Sequence, residues 1–424
     1  MTRQSISSPS GQDEPTEAAT RPGGVRKVLR LPAARKILAV TLVDSVGTGI
    51  FIAGSALFLS QAVHLSNEQI GLGLSVAGLV GFVTTVPVSA LGNRMGARRL
   101  LTLLMFWRAG GFLAYAFIEN FAQFLAIAVF ISLGDRVASP VLQALVGSAV
   151  DGPDRVTTMA LVRTVRNVGF TAGALLAAAA LVSQSTLGYR MIALGNAGSF
   201  LLAGIVLVLL RLSATAAPVA PGRRFGYLRD VRYLWLTLLN GLLSLHMTLL
   251  TVGIPLWYSQ RTDLPQAWIP LLLGTNMVLA VLFQTKVANM AATRRGAGRS
   301  CLLAGLTLAV ACLLFAVSGR THGLILLMCV AVGGVVALTA GELLQSAGAW
   351  ELSYTLAPEA QRSAYLGVFS LGVTGQQILG PSLFGSVVLV LGGPGWLILA
   401  AVFVVAGVGV YTASVGQRRR GAAG

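Results

Sequence analysis

Residues 37–59 read ILAVTLVDSVGTGIFIAGSALFL, a run of 23 residues in which Asp44 carries the only charge. The hydrocarbon core of a bilayer is about 30 Å thick, and an α-helix needs about 20 apolar residues to cross it. The run is long enough for that crossing, and it exceeds the apolar core of about 7–15 residues in a signal peptide. It therefore predicts a helix that remains in a membrane.

The composition of the whole chain agrees with a membrane protein. Of the 424 residues, 55% are hydrophobic and only 11% are charged, whereas soluble domains carry about 25% charged residues. The 50 glycines suit closely packed membrane helices. These values exclude an ordinary soluble enzyme and a disordered scaffold, so we expect neither enzymatic activity nor a bound cofactor.

Eleven further apolar runs follow the first, which predicts an all-α polytopic membrane protein with twelve transmembrane helices. Several runs contain Gly or Pro, but a helix remains the structure that satisfies the backbone polar groups of such segments in lipid. The predicted spans, numbered 1 to 12, cover residues 37–60, 69–91, 100–118, 121–149, 157–183, 188–210, 233–258, 267–289, 301–318, 323–349, 364–391 and 395–415.

The lysines and arginines at the ends of the spans predict the orientation. Twenty-three of them flank the spans on one side and three, Arg190, Arg261 and Arg320, on the other. Basic residues accumulate on the cytoplasmic side of membrane proteins. We therefore expect both termini in the cytoplasm, and the net charge of +17 reflects topology rather than nucleic-acid binding. The expected partners are a small-molecule substrate and the lipid bilayer, and we expect a monomer.

The longest internal loop divides the chain into two halves of six spans each. It is rich in Pro and Ala and carries five arginines, which is typical of a cytoplasmic linker. The predicted domains are a disordered basic tail (1–35), an N-terminal six-helix bundle (36–210), the linker loop (211–232), a C-terminal six-helix bundle (233–416) and a basic tail (417–424).

The two halves repeat three unrelated features at a nearly constant separation. A basic, glycine-containing segment follows span 2 at 92–99 and recurs after span 8 at 293–299. Asp135 inside span 4 corresponds to Glu342 inside span 10, and a Pro-acid loop follows both of these spans. The separations are 200, 207 and 205 residues. Two such repeats are a common plan of secondary transporters, with the substrate path between them.

These features resemble the major facilitator superfamily, which implies transport by alternating access. In that family the turn after span 2 reads Gly-x-x-x-Asp-Arg-x-Gly-Arg-Arg and acts as a conformational latch on the cytoplasmic side. Here Arg94, Gly96 and Arg98 match the pattern, whereas Asn93 stands at the aspartate and Ser89 at the first glycine. The resemblance implies a latch that lacks one negative charge.

A second resemblance concerns the drug/proton antiporters of the same family, which carry a glycine-rich pattern on span 5. Gly169 and Gly173 keep the helix-packing glycines of that pattern, although its proline is missing, and span 11 contains Gly380 and Pro381. The resemblance implies multidrug efflux across the cell inner membrane, driven by a proton gradient. Proton-coupled import of a metabolite is the alternative function, and a non-transporting receptor or assembly partner is a third.

Seven charged residues lie inside the predicted spans. A charge at the centre of a bilayer costs about 2.5–3.5 kcal/mol on insertion scales, so each should face a cavity or a partner. We therefore consider them candidates for substrate binding and proton coupling, together with structural ion pairing. They are Asp44, Arg108, Asp135, Arg136, Arg163, Arg166 and Glu342.

The four charges on spans 1, 3 and 4 allow different pairings. Asp44 could exchange a proton for a cationic substrate, or it could form a fixed pair with an arginine. Asp135 and Arg136 are neighbours on one helix and point about 100° apart, so they should not pair with each other. We expect Arg108 to pair with Asp135, and Arg136 to point elsewhere, with Asp44 as its candidate partner.

Glu342 is the strongest single candidate for proton coupling. The apolar interior of its own half contains no lysine or arginine. Glu342 is therefore either protonated at rest or paired across the cleft with Arg163 or Arg166. Both possibilities would couple its protonation to the state of the cleft.

Overall fold

The computed structural model describes residues 24–150, 153–181, 185–209, 226–265 and 268–415. Throughout these ranges the regular secondary structure is helical, as predicted. Most of the two predicted tails (1–23 and 416–424) and of the linker loop (210–225) lies outside the described residues.

The N-terminal half forms six spans, and short capping motifs fix where some of its helices begin. The Ser66 hydroxyl accepts a hydrogen bond from the backbone of Gln69, whose side chain caps Ser66 in return, and Asn120 caps the start of span 4. The helices are span 1 (Pro32–Leu57), span 2 (Asn67–Met95), span 3 (Ala97–Tyr115), span 4 (Phe121–Asp135 and Ala138–Ala149), span 5 (Pro153–Leu181) and span 6 (Thr186–Leu209).

The C-terminal half forms six more spans. Asp230 caps the first of them and Thr293 caps the third. The helices are span 7 (Val231–Leu243, His246–Thr248 and Ile254–Arg261, with the π-helical segment Leu249–Gly253), span 8 (Trp268–Ala288), span 9 (Arg294–Ser318), span 10 (Leu324–Thr355), span 11 (Arg362–Leu383) and span 12 (Gly393–Val415).

Nine of these twelve spans are long and apolar enough to cross a bilayer by length and composition. The other three, spans 3, 5 and 11, are more polar. Spans 3 and 5 carry Arg108, Arg163 and Arg166, and span 11 carries Gln376 and Gln377. The segments with the weakest membrane signal therefore supply several polar residues of the molecule's interior.

The two halves share one packing pattern. Span 1 packs on spans 5 and 6, span 3 on span 6, and span 2 on span 4; span 7 packs on spans 11 and 12, span 9 on span 12, and span 8 on span 10. Each of these contacts of the first half therefore recurs in the second half between the corresponding spans, whose numbers are higher by six. Two large hydrophobic cores follow the same division, one mainly in each half. This is the arrangement expected of a duplicated six-helix unit.

The halves meet along spans 2 and 11 and along spans 5 and 8. Most described hydrogen bonds and ion pairs between them lie toward one end, which carries the loops rich in arginine at 94–99 and 294–299. We call this end the basic side. The structure is therefore closed at the basic side.

Three details differ from the sequence expectations. Within the tail expected to be disordered, Val25–Arg30 is a helix because Val28 is buried and Lys27 pairs with Asp154 at 2.8 Å. Span 4 is interrupted between Asp135 and Ala138. Span 10 continues to Thr355, beyond its predicted end at 349.

The contact between spans 1 and 5 depends on glycine. A Cβ at Gly173 would lie against the carbonyl oxygen of Val46 and 2.7 Å from the nitrogen of Ile50, and a Cβ at Gly169 would lie 2.6 Å from Ser45 Cβ. The neighbours of Gly173 are backbone atoms, which cannot rotate away. At Gly380 of span 11, next to Pro381, a Cβ would meet the side chain of Thr248.

We expect Gly173→Ala to lower the free energy of unfolding by about 1–3 kcal/mol, the usual cost of overpacking. Gly198→Ala in span 6 is the matched control, because no atom lies within 4 Å of its added Cβ. Denaturation of both purified variants in the same detergent measures the difference. Equal stability of the two variants would contradict the close contact of spans 1 and 5.

Candidate substrate cleft and charge networks

Arg108 joins two carboxylates in the N-terminal half. Its Nη1 donates to Asp44 Oδ1 at 2.9 Å, and its Nε lies 2.8 Å from Asp135 Oδ1. The guanidinium also lies over the ring of Phe200, 3.7 Å from the centroid. The expected Arg108–Asp135 pair is present, and Asp44 shares the same arginine. One cation thus holds spans 1, 3 and 4 together.

Arg136 does not reach Asp44, contrary to the sequence expectation. Its Nη1 donates to Gln377 Oε1 of span 11 at 3.1 Å, so it points across the cleft into the other half. Its side chain passes Gly81, whose Cβ would lie 3.0 Å from Arg136 Cδ, and Gly78. The interruption of span 4 at this residue and the glycine face of span 2 explain the direction that it takes.

Glu342 forms an ion pair with Arg163 of span 5, in the other half of the protein. Its second oxygen accepts a hydrogen bond of 2.8 Å from Asn276 of span 8, and Asn276 also donates to Thr339 at 2.9 Å. Only 4% of the Glu342 surface is exposed. Of the alternatives left open by the sequence, the structure therefore shows the cross-cleft pair, and the partner is Arg163 rather than Arg166.

Buried polar groups of span 7 bind the next turn of span 10 after this carboxylate. Gln345, three residues after Glu342, donates to Asn240 at 2.7 Å and to Ser244 at 3.3 Å. His246 is fully buried, and its Nδ1 lies 2.8 Å from the carbonyl oxygen of Leu243. Glu342 therefore occupies a polar layer in the C-terminal half, with its charged partner supplied by the N-terminal half.

Closer to the basic side, a second cross-half pair closes the cleft. Arg155 of span 5 bonds Glu351 of span 10 at 2.5 Å and lies over the ring of Tyr354 at 4.1 Å. Gln143 of span 4 donates to Ser353 at 2.8 Å. The sequence analysis missed this pair because it ended span 10 at 349. The sequence does contain a signal for a longer span 10. Glu351 follows Glu342 by nine residues, and no proline lies between them to end the helix.

The turn after span 2 makes contact with span 11. Asn93 Oδ1 accepts a hydrogen bond of 3.0 Å from the backbone N–H of Ser363, in the first turn of span 11. Gly96 has φ +85° and ends span 2, a backbone conformation that favours glycine. Arg98 donates to the carbonyl oxygen of Leu207 at 3.1 Å, and Arg94 is exposed. Asn93 thus joins the two halves by a hydrogen bond to a backbone N–H of span 11, and not by an ion pair.

We expect Asn93→Asp to stabilise the closed basic side and Asn93→Ala to weaken it. Aspartate keeps the acceptor and adds a negative charge at a helix N-terminus, which is worth about 0.3–1 kcal/mol; this shifts the ratio of closed to open molecules by about two- to fivefold. Spin-label distances across the basic side measure the ratio, with the exposed Arg299→Gln as control. Identical distance distributions in both Asn93 variants would contradict the latch contact.

Comparison with known proteins gives a consistent family assignment. A sequence model of the Major Facilitator Superfamily matches residues 37–381. An uncharacterized MFS-type transporter of Escherichia coli (strain K12), YdeE, is 23% identical over 381 residues, which cover 87% of this chain and 92% of that protein.

Solved structures show the same fold at low sequence identity. A bacterial homologue of the iron transporter ferroportin, in an outward-facing state, superposes with a TM-score of 0.73 at 18% identity and covers 92% of this chain and 100% of its own. The transporter FucP, in the outward conformation, superposes with a TM-score of 0.71 at 15% identity and covers 91% of this chain and 99% of its own.

The matched family model extends over most of the chain, from span 1 into span 11. The duplicated six-helix halves and the charged cleft between them agree with it, as does the fold of the two solved structures. The chain belongs to the Major Facilitator Superfamily and is a multi-pass membrane protein and secondary transporter, not an enzyme.

Proposed function

We propose that this transporter exports small, largely apolar organic molecules, such as drugs or natural products, in exchange for protons across the cell inner membrane. It would work as a monomer and need no cofactor, because the proton gradient supplies the driving force. The observation that carries the proposal is the Arg163–Glu342 ion pair between the two halves. Arg155–Glu351 also joins the two halves, but it lies closer to the basic side, whereas the Arg163–Glu342 pair lies deeper in the cleft.

Protonation of Glu342 would remove the charge that holds Arg163. A neutral carboxyl keeps its hydrogen bond with Asn276 but loses the attraction across the cleft. The pair therefore favours the closed basic side when Glu342 is ionised, and the open basic side when it is protonated. A proton at one residue would thus select between two conformations.

The direction of the proton agrees with exchange. With the basic side in the cytoplasm, the present conformation would be closed to the cytoplasm, so protons would reach the Glu342 region from the outer side. Opening toward the cytoplasm would then hydrate Glu342 and release the proton inside, and the outgoing substrate would occupy the cleft on the return. Proton-coupled import of a metabolite uses the same pair with the substrate and proton moving together.

The experiment that tests the proposal is uptake of a substrate panel into inside-out vesicles, with and without an imposed pH gradient. We expect an acidic vesicle lumen to drive accumulation of at least one apolar compound and a protonophore to abolish it. Accumulation in intact cells, driven by an acidic exterior, would establish import instead. Equal uptake with and without a gradient for every transported compound would contradict proton coupling.

The proposed orientation places both termini and the linker loop in the cytoplasm. A single cysteine at Arg224, which lies outside the described residues, should resist an impermeant thiol reagent in intact cells and react once the membrane is permeabilised. The control is a cysteine at Arg320, which is exposed on the opposite side and should react in intact cells. The reverse labelling pattern would show the inverted topology.

A further inference from the structure

The interior charges of the cleft do not balance. Asp44 and Asp135 share Arg108, and Glu342 is held by Arg163. Each acid of the interior is therefore already bound to an arginine. The seven charged side chains expected in the interior, four arginines and three acids, sum to +1.

Two of the four interior arginines, Arg136 and Arg166, contact no carboxylate in the described part of the chain. Arg136 is bound to the neutral amide of Gln377, which accepts a hydrogen bond but does not compensate its charge. A cationic substrate would have to share an acid with the arginine that already binds it, whereas an anionic substrate meets an arginine that has no carboxylate partner among the described residues.

Arg166 lies near the middle of span 5. It lies 13 residues after the start of span 5 at Pro153, about 20 Å along the helix axis, so its side chain is too far from that end to reach the headgroups. It follows Arg163 by three residues and therefore lies on the same side of the helix. Arg163 faces span 10 across the cleft, so Arg166 borders the cleft as well.

Arg166 has no hydrogen-bond or ion-pair partner for its guanidinium within the described residues. Its guanidinium lies 6.0 Å from the ring centroid of Phe170, and Asp44 and Asp135 act on it electrostatically without forming a contact pair. Its side chain is partly buried, and its nitrogens are not among the fully buried atoms without a partner in the described residues. The guanidinium is thus partly shielded and still accessible from the cleft.

We propose that the transported molecule is an organic acid with an apolar body, and that Arg166 binds its carboxylate. The inference rests on the proposed transport function and names its substrate class. A carboxylate accepts two parallel N–H bonds from a guanidinium, and it would neutralise the excess charge of the cleft. Arg136, the second arginine without a carboxylate, adds to the positive potential that attracts an anion.

Equilibrium binding to the purified, full-length transporter in lipid nanodiscs tests the inference. The probes are matched sets on naphthalene and biphenyl: 1-naphthoate, 1-naphthamide and 1-naphthylmethylammonium, and the corresponding three biphenyl compounds. We expect the carboxylates to bind at least about tenfold more tightly than the amides and the ammonium compounds, since charge-assisted bonds are the strong ones.

Variants assign the preference to Arg166. Arg166→Gln should weaken carboxylate binding about tenfold and change amide binding less than about twofold, while Arg166→Lys should retain part of the preference because it retains the charge. Arg320→Gln, exposed on the opposite side, is the control. If Arg166→Gln does not fold, the same probes are compared on the wild-type and Arg166→Lys proteins. An unchanged carboxylate preference in Arg166→Lys would then contradict binding by the Arg166 guanidinium.

Three results would overturn the inference: amide or ammonium probes that bind as tightly as the carboxylates, no carboxylate binding up to about 1 mM, or an unchanged preference in folded Arg166→Gln protein. Because equilibrium binding needs no proton gradient, it separates the two proposals. Carboxylate preference without pH-driven transport would contradict only the proposed function, and pH-driven transport without that preference would contradict only the substrate class.

Discussion

Glu342→Gln is expected to abolish pH-driven transport while leaving substrate binding and counterflow intact. Glutamine keeps the size of the side chain and can still bond Asn276 and Arg163, but it cannot exchange a proton. The variant resembles the protonated state permanently, so the cross-half attraction to Arg163 is weakened at every pH. Coupling energies of about 1–3 kcal/mol shift affinities about 5- to 150-fold, and this coupling should be lost completely.

Reconstituted proteoliposomes provide the measurement. Glu351→Gln is the matched control, because Glu351 is also on span 10 and also pairs with an arginine of span 5, but it lies at the basic-side end. The control should change transport rates and keep the dependence on the pH gradient. If Glu342→Gln protein still concentrates substrate with the wild-type pH profile, Glu342 has no part in coupling, and Asp44 becomes the proton site to test.

Arg108→Gln should be the most destabilising of the charge substitutions. It removes the one cation shared by Asp44 and Asp135 and leaves two carboxylates close together inside the bundle. Removing one partner of a buried ion pair costs about 3–5 kcal/mol, and we expect the lower end because the Asp135 side chain is 44% exposed. The loss of stability should appear in detergent denaturation and as a lower yield of monodisperse protein.

A compensating variant separates this charge effect from the loss of packing against Phe200. The triple variant Arg108→Gln, Asp44→Asn and Asp135→Asn contains no unpaired carboxylate at this position and should recover most of the stability. If the single variant is as stable as the wild type, or if the triple variant is no more stable than the single one, the shared-arginine arrangement is wrong.

The sequence predicts the architecture of this protein well because the relevant signals are local. Runs of about 20 apolar residues and asymmetric arginine counts are properties of single segments. The repeated features after spans 2 and 8 then reveal the duplication without any knowledge of contacts. The interruption of span 4 beside Arg136 could not be predicted from the sequence, because the apolar pattern continues through it.

Partner choice inside the cleft is only partly predictable. For Glu342 the sequence narrows the cationic partner to Arg163 or Arg166, because the apolar interior of its own half contains no lysine or arginine. The Arg136–Gln377 contact cannot be found in this way, since it depends on the path that Gly78 and Gly81 leave open. The Asn93–Ser363 bond uses a backbone N–H, which is present at every residue but proline and so gives no sequence signal.

The central claim is that protonation of Glu342 decides whether the basic side is open. Double electron–electron resonance between spin labels at positions 99 and 295, both exposed on the basic side, measures that opening directly after Cys329→Ser removes the exposed native thiol. The wild-type protein should shift from short to long distances as the pH falls, and Glu342→Gln should show the long distances at every pH. A pH-dependent shift in Glu342→Gln with the same midpoint as in the wild type would contradict the claim.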